Sequence, residues 1–221
     1  MALSGGRKTR SDAKMERKAT MSRIWLAVAC IIFSAPVAAD ETAEPPSPSE
    51  LIEGLISGRA PVGGPFALTD QAGHRRTDAD FRGKLVVLYF GYTSCPDVCP
   101  AELQSISLAM DQLGAMAQAV QPLFITVDPE RDTPARLADY LSSFHPRLIG
   151  LTGSLADIRK TAIAYRTYFA KNSAVTSGDY AVDHTGFIYL IGKDGQYLGF
   201  LPPDVTPDAI ADAIRARLEP E

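Results

Sequence analysis

The chain has 221 residues, of which 46% are hydrophobic and 22% are charged, and its formal net charge is -4. This is the composition of a globular protein with enough length for one core of good size, so a single folded domain is expected. The charge is uneven, because residues 1–39 hold seven Lys or Arg and two Asp or Glu, which leaves 15 and 24 for the remainder. An acidic remainder argues against a nucleic-acid partner.

An apolar run follows the basic N-terminal stretch. Residues 24–39 come after Arg23 and end in Pro-Val-Ala-Ala before Asp40. This pattern predicts a secretory signal peptide or an uncleaved membrane anchor, although the run is shorter than the roughly 20 residues of a membrane span. Lipid attachment at Cys30 is a weaker alternative, because only six apolar residues precede it. The signal and anchor interpretations both place the rest of the chain outside the cytoplasm.

A linker is predicted between this N-terminal region and the folded domain. Residues 40–62 are rich in Pro, Glu and Ser, with one short helix over residues 49–56. The domain is expected to span residues 63–218 and to open with a hairpin whose first strand is Phe66–Asp70.

Two cysteines, Cys95 and Cys99, follow the first buried strand in the segment Gly91–Pro100. The strand, residues 84–90, is continuously apolar after its first residue. A proline follows each cysteine and suits the first turn of a helix, where the dipole and the free N–H groups favour a thiolate. Residues four apart on a helix have Cβ atoms roughly 5–6 Å apart, whereas a disulfide prefers about 3.8 Å, so the spacing suits metal capture at least as well as redox cycling. A structural disulfide is the alternative, but so short a loop restrains the unfolded chain little.

The rest of the chain alternates helical and strand patterns. In order, we expect an amphipathic helix after the cysteines, a strand over 123–127, a helix opened by Thr133 and Pro134, a strand over 148–151, a helix from Ser154 to Tyr165, a hairpin of strands 187–191 and 197–201, and a helix from Thr206 to Leu218. Parallel βαβ units that close with a hairpin and a terminal helix predict an α/β fold, a thioredoxin-like sandwich.

Three histidines are candidates for a third metal ligand. His74 lies in a hairpin turn and His145 precedes a proline in a loop, so both are predicted to be solvent-exposed. His184 lies before the strand at 187–191, which in a thioredoxin-like sheet runs beside the strand that carries the cysteines. Two thiolates and one imidazole suit copper, whereas structural zinc usually takes four protein ligands. A hydrogen-bonded structural histidine stays open as the alternative for His184.

Charged residues near the cysteines have two interpretations each. The loop Asp128–Pro134 follows the carboxyl end of a parallel strand, and its charged side chains either form a surface near the cysteines or belong to a capped, solvated loop. Asp97 lies between the cysteines and either acts at the site, by orienting a partner or tuning the thiolates, or interacts only with the helix dipole.

Three segments in this order, GYTSCPDVCP, DPERDTP and DYAVDHTGFIYL, together with GGPFALTDQAGH and FRGKLVVLYF, resemble the Sco/SenC family of cytochrome c oxidase assembly factors. The resemblance covers about residues 60–218. It implies a thioredoxin-like, copper-binding domain in the periplasm or the intermembrane space. It also implies that Cys95, Cys99 and His184 bind one copper ion, Cu(I) or Cu(II).

The resemblance implies a copper metallochaperone, which turns over no small substrate and is in that sense not an enzyme. Its partners would be cytochrome c oxidase subunit II, an upstream copper donor and a thioredoxin-like reductant, on the periplasmic side of a bacterial inner membrane. The alternative is a thiol-disulfide oxidoreductase that keeps the copper-site cysteines of the oxidase reduced, with Cys95 and Cys99 as its catalytic residues. A peroxiredoxin-type peroxidase fits less well, because its usual Pro and Thr would fall at Leu88 and Tyr92.

Overall fold

The computed structural model describes residues 61–172 and 180–218. The predicted signal or anchor, the linker and its short helix therefore lie outside the described residues, apart from positions 61 and 62. The strands are β1 (Ala67–Asp70), β2 (Arg75–Thr77), β3 (Leu85–Gly91), β4 (Val120–Thr126), β5 (Ile149–Thr152), β6 (Phe169–Asn172), β7 (Ala181–His184), β8 (Ile188–Ile191) and β9 (Tyr197–Leu201). The α-helices are α1 (Val98–Leu113), α2 (Pro134–Leu141), α3 (Leu155–Ala164) and α4 (Pro207–Leu218). Short 3-10 helices cover Asp78–Phe81 and Gly114–Ala119.

Seven of these strands form one mixed sheet in the order β2-β1-β5-β4-β3-β8-β9. The strands β3, β4 and β5 are parallel, whereas β8 runs antiparallel to β3 and β9 antiparallel to β8. Every residue of β3 is buried, as its unbroken apolar sequence predicted for a central strand. The prediction that parallel βαβ units close with a hairpin beside the cysteine-bearing strand is confirmed.

The helix starts follow from local sequence. Thr133 caps α2 by accepting a hydrogen bond from the Arg136 N–H, and Ser154 caps α3 by accepting one from the Asp157 N–H. Both caps were predicted, because a Ser or Thr oxygen satisfies an N–H that has no partner within the helix. Among the residues described, no helix is both long enough and apolar enough to cross a membrane.

A second, two-stranded sheet was missed by the sequence analysis. Strands β6 and β7 pair antiparallel, with Phe169 opposite His184. Residues of β6 are half-buried or exposed, so the segment lacks the apolar alternation that reveals a strand. His184, which was predicted only to precede the strand at 187–191, is therefore the last residue of a separate strand.

Candidate metal centre

The two cysteines occupy different environments at the junction of β3 and α1. Cys99 is in the first turn of α1 and fully buried, whereas Cys95 lies in the preceding loop and is half-buried. Both are free thiols. The backbone N–H of Cys99 donates to Cys95 Sγ at 3.5 Å, so one of the unpaired amides of the helix start is directed at a sulfur, as predicted.

The pKa values of the two thiols are shifted in opposite directions. A hydrogen bond from the Cys99 side chain, the backbone N–H groups of Cys99 and Asp97, and the nearby His184 lower the pKa of the Cys95 thiol to about 5, against the opposing effect of partial burial. The same contact with Cys95, together with burial, raises the pKa of Cys99. Cys95 is therefore the thiolate of the pair, and Cys99 retains its proton.

His184 approaches the cysteines from β7. Its Nε2 lies 3.4 Å from Cys99 Sγ, although the two residues are 85 positions apart. Its Nδ1 lies 3.1 Å from the carbonyl oxygen of Thr185, which can only accept. Nδ1 therefore carries a proton, and Nε2 is the ring nitrogen that faces the sulfur. The rings of Tyr89 and Tyr92 meet the imidazole at steep angles, with centroids 6.1 and 6.0 Å away.

Close packing surrounds the Cys99 sulfur. The buried Tyr89 hydroxyl lies 3.8 Å from Cys99 Sγ. A Cβ at Gly91 would come within 3.0 Å of that sulfur and 2.8 Å of Phe124 Cε2, so only glycine fits there. The sequence predicted Tyr89 only as a strand residue, and its contact with the Cys99 sulfur was missed because strand patterns do not show what a side chain faces.

The loop after β4 is tied to the cysteine loop. Asp132 is fully buried and accepts hydrogen bonds from the Thr93 N–H at 3.0 Å, from Thr93 Oγ1 at 2.6 Å and from Thr126 Oγ1 at 2.6 Å. Asp128 is also buried. The interpretation of these two carboxylates as parts of a solvated loop is wrong, because both are buried, and Asp132 binds Thr93 of the cysteine loop.

Other candidates identified from sequence lie elsewhere or act differently. His74 is exposed as predicted, with Nδ1 3.6 Å from Asp70. The prediction that His145 is solvent-exposed is wrong, because its side chain is 11% exposed and its Nδ1 accepts a hydrogen bond from the Arg147 N–H. Asp97 is the N-cap residue of α1, but its side chain makes no cap hydrogen bond.

The donor set fits a soft, low-coordinate metal ion. The Cys99–His184 distance lets both atoms contact one ion, since metal–sulfur and metal–imidazole bonds are about 2.3 and 2.0 Å in zinc sites. Within residues 61–172 and 180–218, no three His, Cys, Asp or Glu side chains are arranged as a complete metal site. The Cys99 sulfur and the His184 imidazole are already in contact. The Cys95 sulfur lies beside them, where it accepts a hydrogen bond from the Cys99 backbone N–H.

Comparison with known proteins places the chain in a family. The SCO1/SenC family model matches residues 56–219. The chain belongs to the SCO1/SenC family. Relatives of this SCO1/SenC chain include the mitochondrial SCO1 homolog of Homo sapiens, 41% identical over 165 residues that make up 74% of this chain and 55% of that protein. The mitochondrial SCO2 homolog of Bos taurus is 45% identical over 163 residues, which are 72% of this chain and 61% of that protein.

A solved SCO1/SenC-like structure gives the fold comparison. Bradyrhizobium japonicum ScoI, solved with copper bound, is 46% identical and superimposes with a TM-score of 0.67 over 71% of this chain and 99% of that chain. The likeness confirms the predicted thioredoxin-like α/β fold. The chain covers between 55% and 61% of the length of the two curated relatives above, and nearly all of the solved ScoI chain.

Proposed function

We propose that this protein binds one copper ion through Cys95, Cys99 and His184. The observation that carries the proposal is the contact between Cys99 Sγ and His184 Nε2 beside a second, low-pKa thiol. Thiolates are soft ligands that select copper, and an imidazole adds a nitrogen that copper also accepts. The copper-bound structure of the 46% identical ScoI supports this choice of metal.

Each ligand has its own task in this proposal. Cys95 is already ionised at neutral pH and makes the first contact with the ion. Cys99 releases its proton to solvent when the ion arrives, and His184 offers Nε2, since the Thr185 carbonyl accepts from its Nδ1 proton. Two thiolates alone satisfy Cu(I), whereas Cu(II) prefers the added nitrogen.

Membership of the family supports a wider role. We infer that the protein is a metallochaperone that assists assembly of the dinuclear copper site of cytochrome c oxidase, with subunit II as recipient, an upstream copper donor and a thioredoxin-like reductant as further partners. The acidic domain would lie on the periplasmic side of a bacterial inner membrane, exported by the apolar run at residues 24–39 as a soluble or anchored protein.

Copper titration of the reduced protein tests the proposal. Cys95→Ser and Cys99→Ser should each abolish tight binding of both Cu(I) and Cu(II). His184→Ala should keep most of the Cu(I) affinity and lose the sulfur-to-Cu(II) charge-transfer absorption, and it should fail to restore oxidase assembly in cells. The matched controls His74→Ala and His145→Ala remove the same group elsewhere and should behave like the parent.

The same variants separate copper delivery from thiol-disulfide exchange. An oxidoreductase that uses only the two sulfurs needs no imidazole ligand, so oxidase assembly that survives His184→Ala would favour that alternative. Unchanged copper stoichiometry and affinity in both cysteine variants would remove the copper assignment altogether.

A further inference from the structure

The guanidinium of Arg131 lies between two aromatic rings from opposite halves of the proposed copper site. Its Cζ is 3.8 Å from the centroid of the Tyr180 ring and 5.7 Å from the centroid of the Tyr92 ring. Tyr92 belongs to the cysteine loop, three residues before Cys95, whereas Tyr180 directly precedes β7, which ends at His184. One cationic side chain therefore connects the segment that carries the thiols to the segment that carries the imidazole.

A buried carboxylate holds this arrangement in place. The Arg131 Nε donates to Asp128 Oδ2, and the Tyr180 hydroxyl donates to Asp128 Oδ1 at 2.7 Å. Asp128 is 1% exposed, so both of its hydrogen bonds are shielded from water. Charge-assisted hydrogen bonds are strong in such a low-dielectric environment. The position of the guanidinium against Tyr180 is thus fixed by the same carboxylate that fixes the phenol.

The strand that ends at His184 lies outside the seven-stranded sheet, and Val182 is its one buried residue. It pairs with β6 in a sheet of two strands that is separate from the seven-stranded sheet. A two-stranded hairpin is marginally stable by itself, so its placement depends on side-chain contacts. The Tyr92 ring also meets the His184 imidazole edge-on, which extends the chain of contacts from Arg131 to the proposed ligand.

We propose that Arg131 is a positioning residue that holds His184 against Cys99 by bridging Tyr92 and Tyr180. The proposal rests on the copper role of His184 given above, and it adds a residue that contacts no ligand atom. Arginine suits the task because its planar guanidinium stacks on aromatic faces while its Nε donates to a carboxylate, which a lysine ammonium cannot do in the same geometry.

The test compares Arg131→Leu with Arg131→Lys and with a matched control, Lys171→Leu, in the full chain. Lys171 is also a cation over the Tyr180 ring, 4.6 Å from its centroid, but it belongs to β6 and forms an exposed ion pair with Glu130. Exposed ion pairs contribute little, so its loss should leave the hairpin in place. Hydrogen–deuterium exchange of the β7 amides is measured in the metal-free protein, and Cu(I) and Cu(II) affinities are measured separately.

Arg131→Leu should make β7 amide exchange about tenfold faster and Cu(II) binding about tenfold weaker. A tenfold change is what the loss of a partly desolvated cation–π contact would cause. The Cu(I) affinity should stay at the parental value. Arg131→Lys should fall between Leu and the parent, and Lys171→Leu should match the parent. Should Arg131→Leu not fold, Tyr180→Leu removes the other face of the stack and should give the same two changes.

Two results would overturn the proposal: parental β7 exchange in both Arg131→Leu and Tyr180→Leu, or equal losses of Cu(I) and Cu(II) affinity in whichever of them folds. The exchange measurement needs no copper. A parent protein that binds no Cu(II) would therefore refute the proposed function while the exchange data still decide whether Arg131 holds β7.

Discussion

At the scale of single residues, Cys95 and Cys99 have the same side chain, but their pKa values are shifted in opposite directions. Cys95 is half-buried and receives hydrogen bonds from the start of α1, whereas Cys99 is buried between Tyr89 and Gly91. The Cys99 side chain and the amides at the start of α1 stabilise an ionised Cys95, whereas the contact with Cys95 and burial destabilise an ionised Cys99, so the pKa falls at Cys95 and rises at Cys99. The pair can therefore offer a thiolate at neutral pH without ionising both sulfurs.

This difference predicts selective alkylation of Cys95. A lowered pKa means that the thiolate is present at all pH values above about 5, whereas an ordinary cysteine ionises near 8.5. In the reduced, metal-free protein, iodoacetamide should modify Cys95 at pH 7, with the rate rising to half its plateau near pH 5, and leave Cys99 largely unmodified. Peptide mass spectrometry across pH 4–9 measures both. A half-plateau near 8.5 for Cys95 would contradict the assignment.

At the scale of elements, α1 is connected to the loop between β9 and α4 by a buried carboxylate. Glu102 lies three residues after Cys99, is 2% exposed, and its Oε1 accepts a hydrogen bond from the Asp204 N–H at 2.6 Å. Asp204 has φ +61, a backbone conformation that favours glycine, so this contact helps to hold a strained turn. Glu102 Oε2 is buried and has no hydrogen-bond partner among the described residues, and burial raises the pKa of the carboxyl.

Replacing Glu102 by Gln should stabilise the protein at pH 8. Gln keeps an oxygen that accepts the Asp204 N–H and buries no charge. Because the folded pKa of Glu102 is raised, ionisation costs stability as the pH rises above the usual Glu value, and the cost is absent below it. The thermal midpoint of Glu102→Gln should exceed that of the parent by about 2 to 4 °C at pH 8 and match it at pH 4.

The control for that experiment is Glu102→Leu. Leucine removes the acceptor as well as the charge and leaves the Asp204 N–H without its partner, so the variant should be less stable than the parent at both pH values. A Gln variant that is less stable than the parent at pH 8 would show that the ionised carboxylate is required.

At the scale of the whole molecule, one core supports both the sheet and the proposed copper site. Leu88 lies in the middle of β3, fully buried, with Leu123 of β4 on one side and Tyr189 of β8 on the other. The strand that ends at the cysteine loop is thus held by a neighbour on each side.

Shortening this core residue should destabilise the entire domain. Leu88→Ala should lower the free energy of unfolding by about 2 to 5 kcal/mol, because it removes a buried side chain and leaves a cavity. The matched control Leu108→Ala makes the same chemical change at a residue that is 43% exposed and should cost less than about 1 kcal/mol. Urea unfolding measures both, and equal losses would argue against a single core centred on β3.

The sequence by itself determined the local features of this protein. The apolar run of β3, the cysteines at the start of α1, the caps Thr133 and Ser154, and the turn before β9 were all predicted, because each depends on neighbouring residues and on backbone preferences. The motifs in their order also identified the family, which the comparisons confirmed.

The tertiary structure alone decided how these parts meet. Cys99 and His184 are 85 positions apart in the sequence but lie 3.4 Å from each other. Their contact depends on the pairing of β8 with β3 and on the β6–β7 hairpin. The short polar strands of that hairpin have no sequence pattern of their own. The burial that contributes to the raised pKa of Cys99, and the burial of Asp128 and Asp132, likewise exist only in the packed structure. Periodicity reveals which face of an element is apolar, but the desolvation and hydrogen bonds that give a site its chemistry exist only once the elements have packed.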